Sequence, residues 1–300
     1  MSENFIKHNL KIKKIEPIIY LLPVIIIYSI FMFWPIIQNI YLSTLSWNMV
    51  SPNKVFVGFK NYLQIFTDPE FPLLLRNTFI YVIIMMVFNF IIPYLIAYVL
   101  ARLIKNAAHF YRSLLFFPSL LSLAVAAIVF MWLLTPLGGP IAELFKSIGI
   151  VPPNWFKSRG YVLVALSIIT AWRCFGFNLI IFIGAILDVP DELIEAAKIE
   201  KASSWTIFWR IVRPLTSSAA LYVFIITFVF GLQYVFTPIH MLTQGGPNQE
   251  STNLIYVVYQ YGFKFFQSGK AAAVAIISLI IFLIVIVIQK RLEKSVFYAN

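Results

Sequence analysis

Long apolar intervals separated by short polar ones organise this chain. Stretches with no charged residue cover 17–53, 77–101, 113–142, 214–249 and 271–289, and a sixth, 160–187, is broken only by Arg173. Each holds the roughly 20 apolar residues that an α-helix needs to cross a hydrocarbon core of about 30 Å. The pattern predicts six spans, at 17–41, 79–100, 113–135, 161–187, 215–237 and 271–288. The alternating blocks of about ten residues that mark a membrane-spanning barrel are absent. Helices satisfy their own backbone in lipid, so the expected class is an all-α transmembrane bundle.

Composition agrees with this pattern. Only 12 % of residues are charged, about half the roughly 25 % of a soluble domain, and the mean hydropathy is +0.87. The expected organisation is an N-terminal tail at 1–16, a membrane domain at 17–288 containing a long polar loop at 188–214, and a C-terminal tail at 289–300. With the N-terminus inside, 14 Lys and Arg fall on inner segments and 8 on outer ones, with Arg173 within a span. Positive residues concentrate on cytoplasmic loops, so both termini are expected in the cytoplasm. The net charge of +11 then follows from topology, and no nucleic-acid partner is expected. The first span is too long for a cleaved leader and is expected to stay as an anchor. Cys174 is the only cysteine, which excludes an intrachain disulfide.

The outward segments are punctuated by turn residues. "SPNKVFVGFKNYLQIFTDPEF" (51–71) reads as turns around a short interfacial helix, "PLGGPIAELFKSIGIVPPNWF" (136–156) as a short amphipathic stretch between Gly and Pro pairs, and Gly245-Gly246-Pro247 as a turn before an aromatic-rich helix. His8, His109 and His240 lie apart with no metal-ligand spacing, and neither G-x-x-x-x-G-K-[ST] nor G-x-S-x-G occurs. No span contains Asp or Glu, which removes the usual intramembrane carboxylates of ion-driven carriers. Arg173 is costly in lipid, by roughly 2.5–3.5 kcal/mol on insertion scales. Three roles stand open for it: a hydrogen-bond anchor within the bundle, a lining of a translocation path, and a contact to an anionic solute.

The polar loop has its own pattern. Pro190, Asp191 and Glu192 suit a helix start, and "ELIEAAKIE" continues with strong helix formers, its paired alanines leaving a thin face for another backbone. Ser203 or Ser204 can cap a second helix, with Trp205, Phe208, Trp209 and Val212 as an apolar stripe and Pro214 as its end. The expectation is a helix–turn–helix on the cytoplasmic side.

The same residues carry a resemblance. "EAAKIEKASSWTIFWRIVRP" resembles the EAA loop of ABC-importer permeases, whose signature is E-A-A, three residues, G, nine residues, then I-x-x-P. Glu195, Ala196 and Ala197 match the E-A-A, Ala202 and Ser203 the usual A-S, and Trp205, Phe208, Ile211 and Pro214 the later positions. Lys201 stands where the family has glycine, and Arg213 replaces the usual Leu before the proline. Because glycine enters positive φ freely and lysine at a cost of about 1 kcal/mol, the turn is expected to be more helical or mildly strained. "VGFKNYLQIF" (57–66) and "MLTQGGPNQEST" (241–252) resemble segments of the sugar-type permeases of that family, the maltose and glycerol-3-phosphate kind.

The resemblance implies a type I ABC-importer permease bundle. Its coupling helix, with Glu195, Ala196, Ala197, Lys198, Glu200, Lys201, Ala202 and Ser203, would dock on an ATP-hydrolysing subunit. Implied partners are a second homologous permease, two ATP-binding subunits, an extracytoplasmic solute-binding protein and membrane lipid. ATP–Mg would sit on the partner subunits, with no cofactor or metal on this chain and no catalysis by it. The solute would be a sugar, oligosaccharide or sugar-like molecule, possible contacts being Trp172, Arg173, Phe175, Asn178 and Tyr234. Gly245, Gly246 and Pro247 would meet the binding protein, or form a surface turn only. The location implied is a bacterial inner membrane. The competing expectation is an ion- or proton-coupled carrier working without an ATPase.

Overall fold

The computed structural model describes residues 20–104 and 108–297, with side chains through Arg291. The tail at 1–16, the start of the first span, residues 105–107 of the first inner loop and the last residues of the C-terminal tail lie outside the described residues. In chain order the elements are α1 (Tyr20–Ser43), the two-residue strands β1 (Leu45–Ser46) and β2 (Val55–Phe56), α2 (Lys60–Phe66), α3 (Phe71–Leu103), α4 (Ala108–Leu120) and α5 (Leu123–Leu133). There follow α6 (Pro140–Ser147), α7 (Tyr161–Leu187), α8 (Asp191–Ile199), α9 (204–215), α10 (Ser217–Thr243), α11 (254–264) and α12 (Ser268–Phe297). Helices α1, α3, α7, α10 and α12 are long and apolar enough to cross a membrane, and α4 and α5, taken together as a bent pair, are apolar and long enough for one further span. The chain is an all-α transmembrane bundle.

The third crossing differs from expectation. Instead of one helix over 113–135, the chain turns by 101° between α4 and α5. Pro118 lacks an N–H, the last turn of α4 tightens at Phe117–Leu120, and Leu121 and Ser122 are extended. Ser122 then caps α5, its Oγ accepting from Val125 N at 3.2 Å. A new helix starts there because a new cap exists.

Chain contacts define two compact units, residues 1–65 with 258–277, and residues 66–257 with 278–300. In the first, β1 pairs antiparallel with β2, and Asn61 of α2 donates to the carbonyls of Ser43 and Leu45 at 2.8 and 2.9 Å. Helix α2 is the short helix expected at that place. A Cβ on Gly269 would lie 1.8 Å from the Leu45 carbonyl oxygen, so only glycine permits this approach. Helix α1 buries none of its apolar window within the chain.

The second unit is built around α7. Leu166, Ile169, Leu179, Phe182 and Ile186 are fully buried on it, and Phe182 stacks on Tyr94 of α3 at 4.3 Å. A Cβ on Gly176 would meet Phe116 Cα at 2.5 Å; the small residue lets the α4 backbone rest on α7, the usual device where lipid supplies no hydrophobic drive between helices. Pro93 cannot donate to the Asn89 carbonyl one turn earlier. That oxygen instead accepts from Asn178 Nδ2 at 2.6 Å and from the Thr227 hydroxyl at 3.4 Å, and the Asn178 amide also reaches Thr227 Oγ1 at 2.9 Å. One missing backbone bond thus ties α3, α7 and α10 together.

Candidate functional site

The polar loop forms the expected helix–turn–helix, with its details rearranged. Pro190 is the residue before α8 rather than its first turn, and Asp191 and Glu192 occupy that turn. At the other end Lys201 N donates to the Lys198 carbonyl and Ala202 N to the Ala197 carbonyl, each at 2.9 Å. This is the Schellman pattern that closes a helix through one left-handed residue. Lys201, at φ +59°, is that residue. The lysine therefore adopts the conformation its family position reserves for glycine. Replacing Lys201 by glycine is expected to stabilise the purified protein by about 1 kcal/mol, read as a small rise in melting temperature; a fall would show that the lysine side chain holds the turn.

The two adjacent alanines do not share a face. Ile194 is buried, and Ala197 and Ala202 pack partly against the bundle's own core. Glu192, Glu195, Ala196 and Ile199 point outward, with Ile199 83 % exposed, and Lys198, Glu200, Lys201 and Ser203 are exposed too. Ile199, which the E-A-A pattern does not mark, shares the face of Ala196 through its three-residue spacing. Ser203 caps α9, accepting from Thr206 N at 3.2 Å. The expected stripe shifts: Ile207, Phe208 and Val212 are buried, whereas Trp205 and Trp209 are exposed. Nor does Pro214 end the helix. A wide turn at Phe208–Val212 absorbs its missing N–H, and the break falls at Thr216.

Beyond the packing of Ile194, one charged residue ties helix α8 to the membrane bundle. The Arg102 guanidinium, at the end of α3, donates to the carbonyls of Ile186 and Val189 at 2.7 and 2.6 Å and pairs with the Asp191 carboxylate. Its side chain is 12 % exposed. It therefore closes the C-terminal end of α7 and the N-terminal end of α8 at once, using the negative end of one dipole and an acid at the start of the next helix.

The segment around Gly245-Gly246-Pro247 is anchored rather than a loose turn. Glu250, its side chain 9 % exposed, takes Arg76 at 2.7 Å and Arg159 at 2.8 Å. Asn77 donates to the carbonyls of Gln249 and Thr252, Tyr81 to that of Ser251 at 2.8 Å, and Ser251 Oγ to that of Gly246 at 2.7 Å. Gly245, at φ +95°, is buried, while Gln244 and Asn248 are exposed beside it along an open polar cleft. The presented surface is thus Gln244 and Asn248, with the glycines beneath.

Two of the proposed pathway residues converge near the bend of the third crossing. Arg173 Nε donates at 3.2 Å to the Leu121 carbonyl, an oxygen released by that bend, and its guanidinium lies 5.8 Å from the Tyr234 ring. Tyr234 stacks on Phe230 at 4.5 Å, and Trp172 meets Phe130 edge-on at 5.4 Å. Phe175 packs against the core around Phe182, and Asn178 is fully buried in the three-helix tie. Among the described residues no cluster of His, Cys, Asp or Glu is placed to hold a metal ion.

Five long apolar helices and one bent pair, with a capped polar loop projecting between α7 and α10, are the arrangement of an importer permease. The comparisons agree. Residues 95–298 match the family model "Binding-protein-dependent transport system inner membrane component", and the chain belongs to that family. It is 30 % identical to a probable ABC transporter permease protein, YurN, of Bacillus subtilis, covering 94 % of this chain and 97 % of that one. It is 29 % identical to the sn-glycerol-3-phosphate transport system permease protein UgpA of Agrobacterium fabrum, over 95 % and 97 % of the two chains. With the multiple sugar-binding transport system permease protein MsmF of Streptococcus mutans it shares 30 % identity over 92 % and 94 %. A bacterial ABC transporter involved in the import of alginate matches in fold with a TM-score of 0.80 at 20 % identity, covering 96 % of this chain and 99 % of that one. The chain is a multi-pass membrane permease of an ABC importer, and nothing in these likenesses supports the ion-coupled carrier.

Proposed function

We propose that the chain forms, with a second homologous permease, the path of an ATP-driven importer for a sugar, oligosaccharide or sugar-like polar solute. The reading of the solute rests on relatives named for sn-glycerol-3-phosphate and multiple sugars. Two ATP-hydrolysing subunits would bind ATP–Mg, grip α8 and its counterpart, and switch the pair between access to the two sides, a two-state shift driven by ATP. The chain itself would catalyse no reaction. An extracytoplasmic binding protein would deliver solute onto the segment 244–250. Both termini would lie in the bacterial cytoplasm, on the positive-inside distribution of Lys and Arg.

The observation that carries the reading is the exposed face of α8. Glu195, Ala196 and Ile199 project from a helix whose other face is fixed to the bundle, which is the form a coupling helix needs. Trp172, Arg173 and Tyr234 are assigned to the pathway region, with Arg173 as the anchor of the bend, and Phe175 and Asn178 support it from behind. The exposed Ile199 can be changed without entering the core. Ile199→Asp is expected to cut co-purification of the ATP-hydrolysing subunits at least about tenfold, the effect of 1.4 kcal/mol or more at an interface anchor. Undiminished co-purification and uptake would contradict the assignment. Ala197→Asp would be a poorer probe, because Ala197 packs inward.

A further inference from the structure

A groove of about 690 Å³ runs between α3, α9, α10 and α12. Its walls are apolar, with Tyr94, Phe224 and Ile288 among them. The described residues around it include no acid. Helix α10 begins and α12 ends at the same membrane face, because consecutive odd and even crossings run in opposite directions. At that end the groove carries Arg213, its guanidinium 5.0 Å from the Trp209 ring, and Gln289. Lys290 and Arg291 follow Gln289 directly, both exposed, and Arg210 is exposed one turn before Arg213. Trp205 and Trp209 also line the groove, and indole rings favour a headgroup level, with one wet and one apolar side.

Gln289 adds a specific requirement. It is 7 % exposed; its amide donates to the Leu221 carbonyl at 3.2 Å, yet its Oε1 is buried and has no hydrogen-bond partner among the described residues. A buried carbonyl oxygen left unpaired costs about 1–3 kcal/mol, so an occupant that brings a hydroxyl donor is favoured. Arg213 asks for an anion, the walls ask for hydrocarbon, and Gln289 asks for a donor. Basic pockets between helices on the cytoplasmic side are suited to anionic lipid headgroups.

We propose that this groove seats an anionic phospholipid of the cytoplasmic leaflet, a phosphatidylglycerol, with its phosphate on Arg213, a glycerol hydroxyl on Gln289 and an acyl chain along Tyr94 and Phe224. One wall of the seat is α9, the second helix of the polar loop, so the lipid bears on that loop. The inference takes from the proposed function only the orientation of the loop. Lipid capture is read without ATP or solute, so its failure leaves the importer reading standing, and failure of ATP-driven uptake leaves the lipid seat standing.

The test uses the complete complex in nanodiscs containing equal phosphatidylglycerol and phosphatidylcholine, each in turn carrying a photoreactive acyl chain. The phosphatidylglycerol probe is expected to label the peptide around Ala220–Phe224 about tenfold more than the phosphatidylcholine probe. Arg213→Gln should reduce that preference to about threefold or less, Gln289→Leu should weaken it, and Lys157→Gln, on an outward loop, should leave it unchanged. Equal labelling by the two probes would overturn the proposal. So would a cysteine at position 220 that crosslinks to a helix of another protein subunit, since that helix would then fill the groove.

Discussion

Replacing Arg102 by alanine is expected to lower solute uptake at least about tenfold while the ATP-hydrolysing subunits stay bound. The side chain is nearly buried and serves three acceptors at once, two carbonyls that end α7 and the carboxylate that starts α8. Hydrogen bonds from a charged donor contribute about 1.5–3 kcal/mol each, whereas the exposed half of the Asp191 pair adds little, as surface ion pairs do. Without the guanidinium, α8 would keep its outward face but lose its fastening to α3. A movement of α8 would then reach α7 only through the short connection and the packing of Ile194. Uptake per ATP hydrolysed, measured in proteoliposomes, is the proper readout, with bound ATPase as the control. Asp191→Asn, which spares both carbonyl contacts, should cost about threefold or less. Unchanged uptake per ATP in Arg102→Ala would remove Arg102 from the coupling.

A second large effect is expected at Glu250. Glu250→Gln preserves shape but takes the charge from two pairs, and its amide NH2 must face an arginine donor. Removing one member of a buried pair costs about 3–5 kcal/mol, and exposed pairs are worth about 0–1. With Glu250 buried but Arg76 and Arg159 partly exposed, a loss of about 1–3 kcal/mol is expected, or several degrees in melting temperature. Because Glu250 holds the segment that presents Gln244 and Asn248, affinity for the delivering protein should fall with it. A variant that melts and binds as the parent does would show that the hydrogen bonds of Asn77 and Tyr81 suffice.

Charge-free length was the strong signal in this sequence, and it located the crossings without locating their ends. Helix α3 starts at Phe71 rather than 79, with Pro72 in its first turn, and Arg76, which interrupts the apolar run, is paired with Glu250, a partner 174 residues away. The bend of the third crossing was hidden for the opposite reason. Apolar residues continue through it, and only Pro118 and Ser122 marked the break. At the coupling loop the helix and its capping serine were legible from spacing, but the phase was not: whether Ala196 or Ala197 faces the bundle depends on where Ile194 packs. Lys201 shows how tertiary context overrides a local preference, since two backbone hydrogen bonds hold a lysine in the left-handed region. The roles of Arg102, Arg173 and Asn178 each depend on a carbonyl that a proline, a bend or a helix end left unpaired. No spacing in the sequence announces such a carbonyl.

The central claim is that ATP, hydrolysed on partner subunits, drives solute through a path this chain helps to build. The direct measurement is uptake into proteoliposomes holding the purified permease pair, its ATPase and its binding protein, with ATP present or absent on the ATPase side and no ion gradient. Uptake is expected with ATP and should disappear in Ile199→Asp. Uptake by this chain alone, driven by a proton or sodium gradient and indifferent to ATP, would contradict it.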